Sequence, residues 1–384
     1  MSDKRPKLFL IAGEPSGDGL GGRLMAALKR EAGNEINFVG IGGQQMEGEG
    51  LKSLFPMSDL AVMGITEVLP HLPHLLRRIR ETADAISRER PDAVITIDSP
   101  SFANRVVSRL KDRSATRIHY VAPSVWAWRP WRVHKYKRNY DHILALLPFE
   151  PDFFEAVGLP CRHVGHPVVE YGADKGDGAA FRVRNGISSE ETVICALPGS
   201  RRGEVKRLAP IFGDALSKLA TNGQQFRVFI PTVDTVASTL PGLIGDWPGE
   251  PKILTSLDDK YDLMAAANAA IAASGTVAVE LALAKVPTVI AYKVTWITAQ
   301  SIRPLLKVKF ANLINIILDK AVVPERLQHF CTAGNLAGDL EELLTKEGRE
   351  AQLAAVEPAL KMLGAGDALP STRAARAILD ILKK

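Results

Sequence analysis

The sequence predicts an α/β protein made of two Rossmann-like domains with mostly parallel sheets, followed by C-terminal helices. Three observations predict it. Short runs rich in Val and Ile alternate with helix-period segments, as βαβ units do. The alternation starts afresh halfway along the chain. The length, 384 residues, exceeds what one hydrophobic core usually supports, so two domains are the natural division.

In the first half, Lys7–Ala12 reads as a strand before a helix over Leu20–Glu31. Ala93–Ile97 precedes a helix over Phe102–Arg113, and Ile118–Val121 and Ile143–Leu147 are further strands. The second half offers Thr192–Leu197 before a helix near Leu208–Ala220, then strand Arg227–Ile230. Ala269–Ala272 then leads to a helix near Val277–Ala284 and to Thr288–Tyr292. Between the halves, Val164–Ser189 carries Pro167 and six glycines or alanines from Gly172 to Ala180, with charges in no clear period. A linker is expected there. The divisions are a first domain over 1–170, a linker over 171–189, a second domain over 190–352 and a helical segment over 353–384. In that last segment Ala375, Ile378, Leu379 and Leu382 keep helical spacing.

Hydrophobic residues make up 46% and charged residues 24%, the balance of a folded globular protein rather than a disordered or fibrous one. A formal charge of +5 favours an anionic partner without choosing among nucleotides, phospholipids, sugar phosphates and nucleic acid. Cys161, Cys195 and Cys331 lie far apart without metal-ligand spacing, so buried thiols in a reducing compartment are expected. The apolar run Leu8–Ala12 is too short for a signal-peptide core. Leu263–Tyr292 is broken by Asn268, Glu280, Lys285 and Pro287, which lipid would penalise. These features point to the cytoplasm and to a chain with no spanning segment.

Four stretches can carry chemistry. The first βα turn, Gly13–Gly22, matches G-x-G-x-x-G at Gly17, Gly19 and Gly22, but Phe38–Gly43 offers no acidic residue near the end of the second strand to hold a ribose, so a dinucleotide is disfavoured. Either its glycines permit positive φ in a tight turn, or Gly13, Glu14, Ser16, Gly17 and Asp18 form a loop whose N–H groups meet an acceptor sugar or phosphate. The second reading is preferred. Asp98 ends an apolar strand and precedes Ser99-Pro100, where open α/β sheets hold ligands; it is either a general base or a helix N-cap. Pro198–Glu204 puts Ser200 and Arg201 where a phosphate can approach, although one of Arg201 and Arg202 is expected to be an ordinary surface charge. Ser274, Gly275 and Thr276 open a helix on which Glu280 follows one turn later, suiting a diphosphate and a ribose; the bland alternative is a helix with one exposed glutamate.

Two stretches suit lipid. Ile65, Val68, Leu69, Leu72, Leu75 and Leu76 keep helical spacing ahead of Arg77, Arg78 and Arg80. A core-facing helix is the ordinary explanation. Pro70 and Pro73 would disturb a regular helix and allow an apolar surface loop that inserts into a membrane beside Arg77 and Arg78. Trp126–Arg138 interleaves aromatics with cations, which suits a membrane interface, sugar stacking or single-stranded nucleic acid.

Taken in order, Gly13–Asp18, Ser124–Arg129, Leu147–Glu150, Leu197–Arg201 and Ala273–Thr276 resemble the lipid-A-disaccharide synthase family across most of the chain. The resemblance implies a GT-B-like fold, UDP-2,3-diacylglucosamine as donor, 2,3-diacylglucosamine 1-phosphate (lipid X) as acceptor, and neither metal nor cofactor. It implies inverting transfer to the acceptor 6-hydroxyl, a β-1,6 product and peripheral attachment to the inner face of the cytoplasmic membrane of a Gram-negative bacterium. Under it Asp98 is the catalytic base, and Ser200, Arg201, Thr276 and Glu280 contact the donor nucleotide. Asn315 falls at a polar position of the family, although Ile314 stands where the family often has proline. The lack of a D-x-D sequence agrees with transfer in which Arg201 and a helix N-terminus balance the departing diphosphate. The rivals are a UDP-N-acetylglucosamine 2-epimerase, a peptidoglycan glycosyltransferase, or a nucleic-acid binder using Trp126–Arg138. No nucleic-acid partner is expected, and a homo-oligomer stays open.

Overall fold

A computed structural model of the chain describes residues 5–33, 35–60, 65–295 and 308–383. The chain forms two compact units, Met1–Pro167 with Gly366–Lys384, and Val168–Ala365.

The first unit is built on β1 (Lys7–Ala12), β2 (Asn37–Ile41), β3 (Ala93–Ile97), β4 (Thr116–Tyr120), β5 (His142–Ala145) and β6 (Cys161–His163). All pair in parallel, in the order β2-β1-β3-β4-β5-β6. The connecting helices are α1 (Pro15–Glu31), α2 (Gln44–Gly48), α3 (Ile65–Glu89), α4 (Pro100–Val107), α5 (Val133–Asn139) and α6 (Glu150–Glu155). Central β3 reads Ala-Val-Ile-Thr-Ile and is buried at every position, as a parallel strand covered on both faces must be. Phe9, Ile11, Ile79, Ile86, Val94 and Val106 form the core on one side of it.

The second unit repeats the plan with β7 (Val193–Leu197), β8 (Arg227–Pro231), β9 (Lys252–Leu254), β10 (Ala269–Ala273), β11 (Thr288–Tyr292) and β12 (Glu325–Leu327). Their order is β12-β11-β10-β7-β8-β9, again parallel. Around them lie α7 (Gly178–Arg184), α8 (Arg202–Thr221), α9 (Asp234–Ala237), α10 (Pro241–Ile244), α11 (Leu257–Ala266), α12 (Val277–Leu283), α13 (Leu313–Leu318), α14 (Ala333–Leu344) and α15 (Lys346–Met362). Val205, Leu208, Phe212, Leu216 and Leu219 make a buried stripe along α8 at three- and four-residue spacing. Each such side chain contributes about 1.5–3 kcal/mol by leaving water. The three cysteines are buried free thiols. No described helix is long and apolar enough to cross a membrane.

Four features depart from the sequence reading. The expected linker over 171–189 contains a 3-10 turn at Ala173–Lys175 and α7, whose N-cap Asp177 accepts a hydrogen bond from the Ala180 N–H. Small residues there serve close packing: a Cβ on Gly178 would meet the Ala265 carbonyl oxygen at 2.5 Å. The C-terminal segment is divided, since α15 stays with the second unit while α16 (Pro370–Leu382) packs on α1 in the first. Third, α1 begins at Pro15, so Gly17, Gly19, Gly21 and Gly22 lie inside a helix and none has positive φ. They permit close approach instead: a Cβ on Gly21 would come within 2.4 Å of the Met46 sulfur.

The fourth departure concerns the apolar stripe. Helix α3 spans both Pro70 and Pro73. Leu75 and Leu76 are partly buried and pack against the first-unit core. Arg78 is ion-paired with Asp59 and with Glu81, and its guanidinium lies 4.4 Å from the centre of the Phe55 ring. It is committed to folding, whereas Arg77 is exposed. The expected contacts at Ile65, Val68, Leu69 and Leu72 concern side chains outside the described residues.

Candidate active site

Each sheet has one place where its strand order reverses, and there the loops at the carboxyl ends of two strands face each other. In the first unit that place lies between β1 and β3; in the second, between β7 and β10. The sequence-derived candidates Gly13–Asp18 and Asp98 belong to the first, and Ser200–Arg201 and Gly275–Glu280 to the second.

At the first switch point the Ser16 hydroxyl donates to Asp98 Oδ2 at 3.3 Å. Asp98 does not cap the helix that follows; Ser99 occupies the N-cap position and also makes no side-chain cap. Both residues have left-handed backbones, φ 51° and 46°, and Val121 after β4 has φ 81°. Such conformations in non-glycine residues cost about 1–3 kcal/mol each and concentrate at functional sites. Burial and the adjacent Asp98 charge raise the Glu14 carboxyl above its ordinary range. Gly13 is required by crowding, because a Cβ there would lie 2.4 Å from the Ser99 hydroxyl oxygen.

Asp18, expected to serve the acceptor loop, turns elsewhere. Its carboxylate is buried and accepts from the N–H groups of Gly43, Gln45 and Met46 at 2.8, 3.0 and 3.1 Å, capping α2. Gly17 lies buried in the first turn of α1, against the Ile97 carbonyl. Of the five candidates in this loop, Glu14 and Ser16 are exposed, and Gly13, Gly17 and Asp18 are buried.

Beneath Asp98, Thr96 Oγ1 lies 2.7 Å from His119 Nδ1 and 3.2 Å from the Tyr140 hydroxyl. Burial pushes His119 down to about 3, so the ring is neutral, and its Nε2 is buried without a partner among the described residues. Nothing in the sequence marks this cluster, because His119 reads as one residue of an apolar strand. Next to it, the Trp126 indole N–H donates to Glu150 at 3.1 Å, and the Leu146 and Leu147 N–H groups donate to the other Glu150 oxygen. The tryptophan motif is thereby tied to the end of β5.

At the second switch point, Gly199 has φ 124°, a conformation that favours glycine, and Arg201 caps the twenty-residue α8 without any side-chain cap. The uncapped N–H groups face the same solvent as Ser200 and Arg201, both exposed. Arg201 reaches Glu204 at 3.0 Å but remains 82% exposed, so little holds it. Arg202, also exposed, donates to the Thr235 carbonyl at 3.3 Å. Across the switch point, Gly275 and Thr276 are exposed and a Cβ on Gly275 would meet nothing within 4 Å among the described residues.

Glu280 is buried rather than a lone exposed glutamate. It pairs with Lys260 at 2.6 Å and accepts from the Tyr261 hydroxyl at 3.4 Å. Lys260 lies on another helix, and no sequence pattern links the two. Asn315 is also spoken for: its amide donates to the Val323 carbonyl and to Glu325, and its oxygen accepts from the Val322 and Val323 N–H groups. All its hydrogen-bonding positions are filled, so it holds its own loop in shape and has no donor left for a nucleotide. Asn312, which the sequence reading passed over, caps α13 through Oδ1 and leaves Nδ2 buried and without a partner among the described residues.

Comparison with known proteins joins these observations. The family model described as Lipid-A-disaccharide synthetase matches residues 8–367. A lipid-A-disaccharide synthase of Rhodospirillum centenum is 51% identical over 98% of this chain and 95% of the relative. One of Paramagnetospirillum magneticum is 48% identical over 98% of each. Among solved structures, MurG of Acinetobacter baumannii aligns over 98% of this chain and 99% of its own at TM-score 0.60 and 14% identity. A UDP-GlcNAc 2-epimerase from Neisseria meningitidis bound to UDP-GlcNAc aligns over the same shares at TM-score 0.61 and 12% identity. Those two likenesses extend to the GT-B fold alone. With a family model matched over residues 8–367 and curated relatives at up to 51% identity covering 98% of it, the chain belongs to the lipid-A-disaccharide synthase family of glycosyltransferases.

Proposed function

We propose that this chain transfers 2,3-diacylglucosamine from UDP to the 6-hydroxyl of 2,3-diacylglucosamine 1-phosphate. The observation that carries the residue roles is the hydrogen bond from Ser16 to Asp98, which together with Ser99 holds two successive left-handed conformations at a switch point. Asp98 accepts the proton of the 6-hydroxyl as that oxygen attacks the donor anomeric carbon. The bond from that carbon to the UDP oxygen breaks, and UDP leaves with the electron pair, inverting the centre. Such general-base help is worth about a hundredfold to ten-thousandfold. Ser16 orients the carboxylate, and Gly13 and Glu14 line the acceptor approach.

Ser200, Arg201, Gly275 and Thr276 hold the donor diphosphate through open N–H groups and one guanidinium, which balances charge as UDP departs. Glu280, already holding Lys260 and Tyr261, keeps lone pairs for a ribose hydroxyl. Asn315 supports this side by ordering Glu325, which accepts the Ala311 and Asn312 N–H groups. The acyl chains of both substrates place the reaction at a membrane surface, the inner face of the cytoplasmic membrane.

The test supplies purified protein with UDP-2,3-diacylglucosamine and lipid X, and follows UDP and a tetraacyl disaccharide phosphate. Appearance of both is expected. Equal turnover of unacylated UDP-N-acetylglucosamine, or UDP release without disaccharide, would refute the substrate assignment.

A further inference from the structure

The segment from Trp126 to Arg138 has two sides. Val133, Tyr136 and Asn139 of α5 are buried, and Tyr136 stacks on Tyr140, so that face is committed to the first-unit core. The other side carries Trp131, 64% exposed, and Trp128, 38% exposed. The Trp128 ring lies beneath two guanidiniums, those of Arg129 at 4.4 Å and Arg132 at 5.3 Å. Lys135, one helical step further, is exposed as well. Burial and the neighbouring charges of Arg132, Arg105 and Arg138 hold its ammonium below the ordinary lysine range. No carboxylate among the described residues is ion-paired with any of these cations, and an anion placed over them would relieve their mutual repulsion.

Water offers this arrangement little. A tryptophan left mostly exposed forgoes the gain of burying its ring, and uncompensated cations repel one another. An interface with anionic headgroups answers both, since indoles settle at headgroup depth and cations draw phosphate oxygens. We propose that Trp128, Trp131, Arg129, Arg132 and Lys135 form a docking surface for an anionic bilayer. The inference is independent of the transferase assignment, because it concerns partition onto lipid without substrate.

The full chain is mixed with vesicles of phosphatidylcholine alone and of phosphatidylcholine with phosphatidylglycerol, and the sedimenting fraction is measured. The parent binds the anionic vesicles, and salt weakens that binding. Trp131→Ser lowers partition roughly tenfold. Arg132→Gln with Lys135→Gln lowers it roughly thirtyfold. Both variants keep the parental unfolding temperature and UDP affinity. Undiminished anionic-vesicle binding by both folded variants overturns the proposal. So does loss of self-association, or of binding to a single-stranded oligonucleotide, with vesicle binding intact; the face would then belong to a second copy or to nucleic acid. Should a variant fail to fold, brominated phosphatidylglycerol added to the parent decides the matter. Quenching of its tryptophan fluorescence supports docking, and unchanged fluorescence overturns it.

Discussion

At the carboxyl edge of the first sheet the backbone runs against its preferences. Asp98, Ser99 and Val121 all hold positive φ, Gly13 has no room for a Cβ, and the Asp98 charge helps to raise the Glu14 carboxyl. At the corresponding edge of the second sheet no non-glycine residue of the two facing turns has positive φ, Gly275 stands in open space, and the most exposed charge is a guanidinium. The same topology thus supports two kinds of furnishing. A proton acceptor has to be fixed within tenths of an ångström of its target, which tolerates strain and crowding. A diphosphate asks for accessible N–H groups and mobile positive charge. The difference fits a chemical edge in one unit and a binding edge in the other.

The largest effect is expected from Asp98→Asn, which should lower turnover by about a hundredfold to ten-thousandfold while UDP affinity holds. Steady-state assays and UDP titration check this; near-parental turnover would erase the contrast between the edges. A pH series on stability comes next. Burial pushes the Glu150 carboxyl up to about 7 against the pull of the three N–H donors it accepts. Its folded value lies above its unfolded one, so the protonated form contributes stability in full below about 4.5, and that contribution is lost as pH rises through about 7. The total is on the order of 3 kcal/mol. Glu150→Gln should flatten denaturant-melt stability across that window, and an unchanged slope would show another group to be responsible.

Glu280→Ala should cost about 2 kcal/mol, less than a fully buried pair, by leaving Lys260 without its carboxylate. It should also weaken UDP binding. Loss of stability with unchanged UDP affinity would make Glu280 purely structural and sharpen the view of the second edge as open backbone. Arg201→Ala is expected to weaken UDP roughly tenfold to a hundredfold and to leave stability within about 0.5 kcal/mol. Smallest is a pair of glycine changes. Gly13→Ala should lose about 1 kcal/mol or more through its clash with Ser99, whereas Gly275→Ala should leave unfolding unaltered. Equal losses would show the two edges to be equally crowded.

The two parallel sheets were legible because buried parallel strands read as short Val- and Ile-rich runs, and Ala93–Ile97 and Val193–Leu197 are of that kind. The places of Asp98 and Arg201 followed from strand ends. Residue partners were not legible. Asp18 and Asn315 have the chemistry of ligand contacts, and only tertiary structure shows their atoms spent on α2 and on the Val322–Glu325 loop. Glycines from Gly17 to Gly22 signal either a turn or a close helix contact, and composition alone does not choose. The Gly- and Ala-rich stretch at 172–180 misled for the same reason. Strain at Ser99 and Val121 left no mark in residue type at all.

Because α16 belongs with α1, translation completes the second unit before it delivers the last piece of the first. Val168–Ala365 is contiguous and can fold as it emerges, while the unit synthesised earlier waits for Pro370–Leu382 to leave the ribosome. A nonsense mutation near residue 366 would therefore damage the half of the protein made first, leaving α1 without its cover. Nascent chains stalled there should be cut by protease in the first unit and spared in the second.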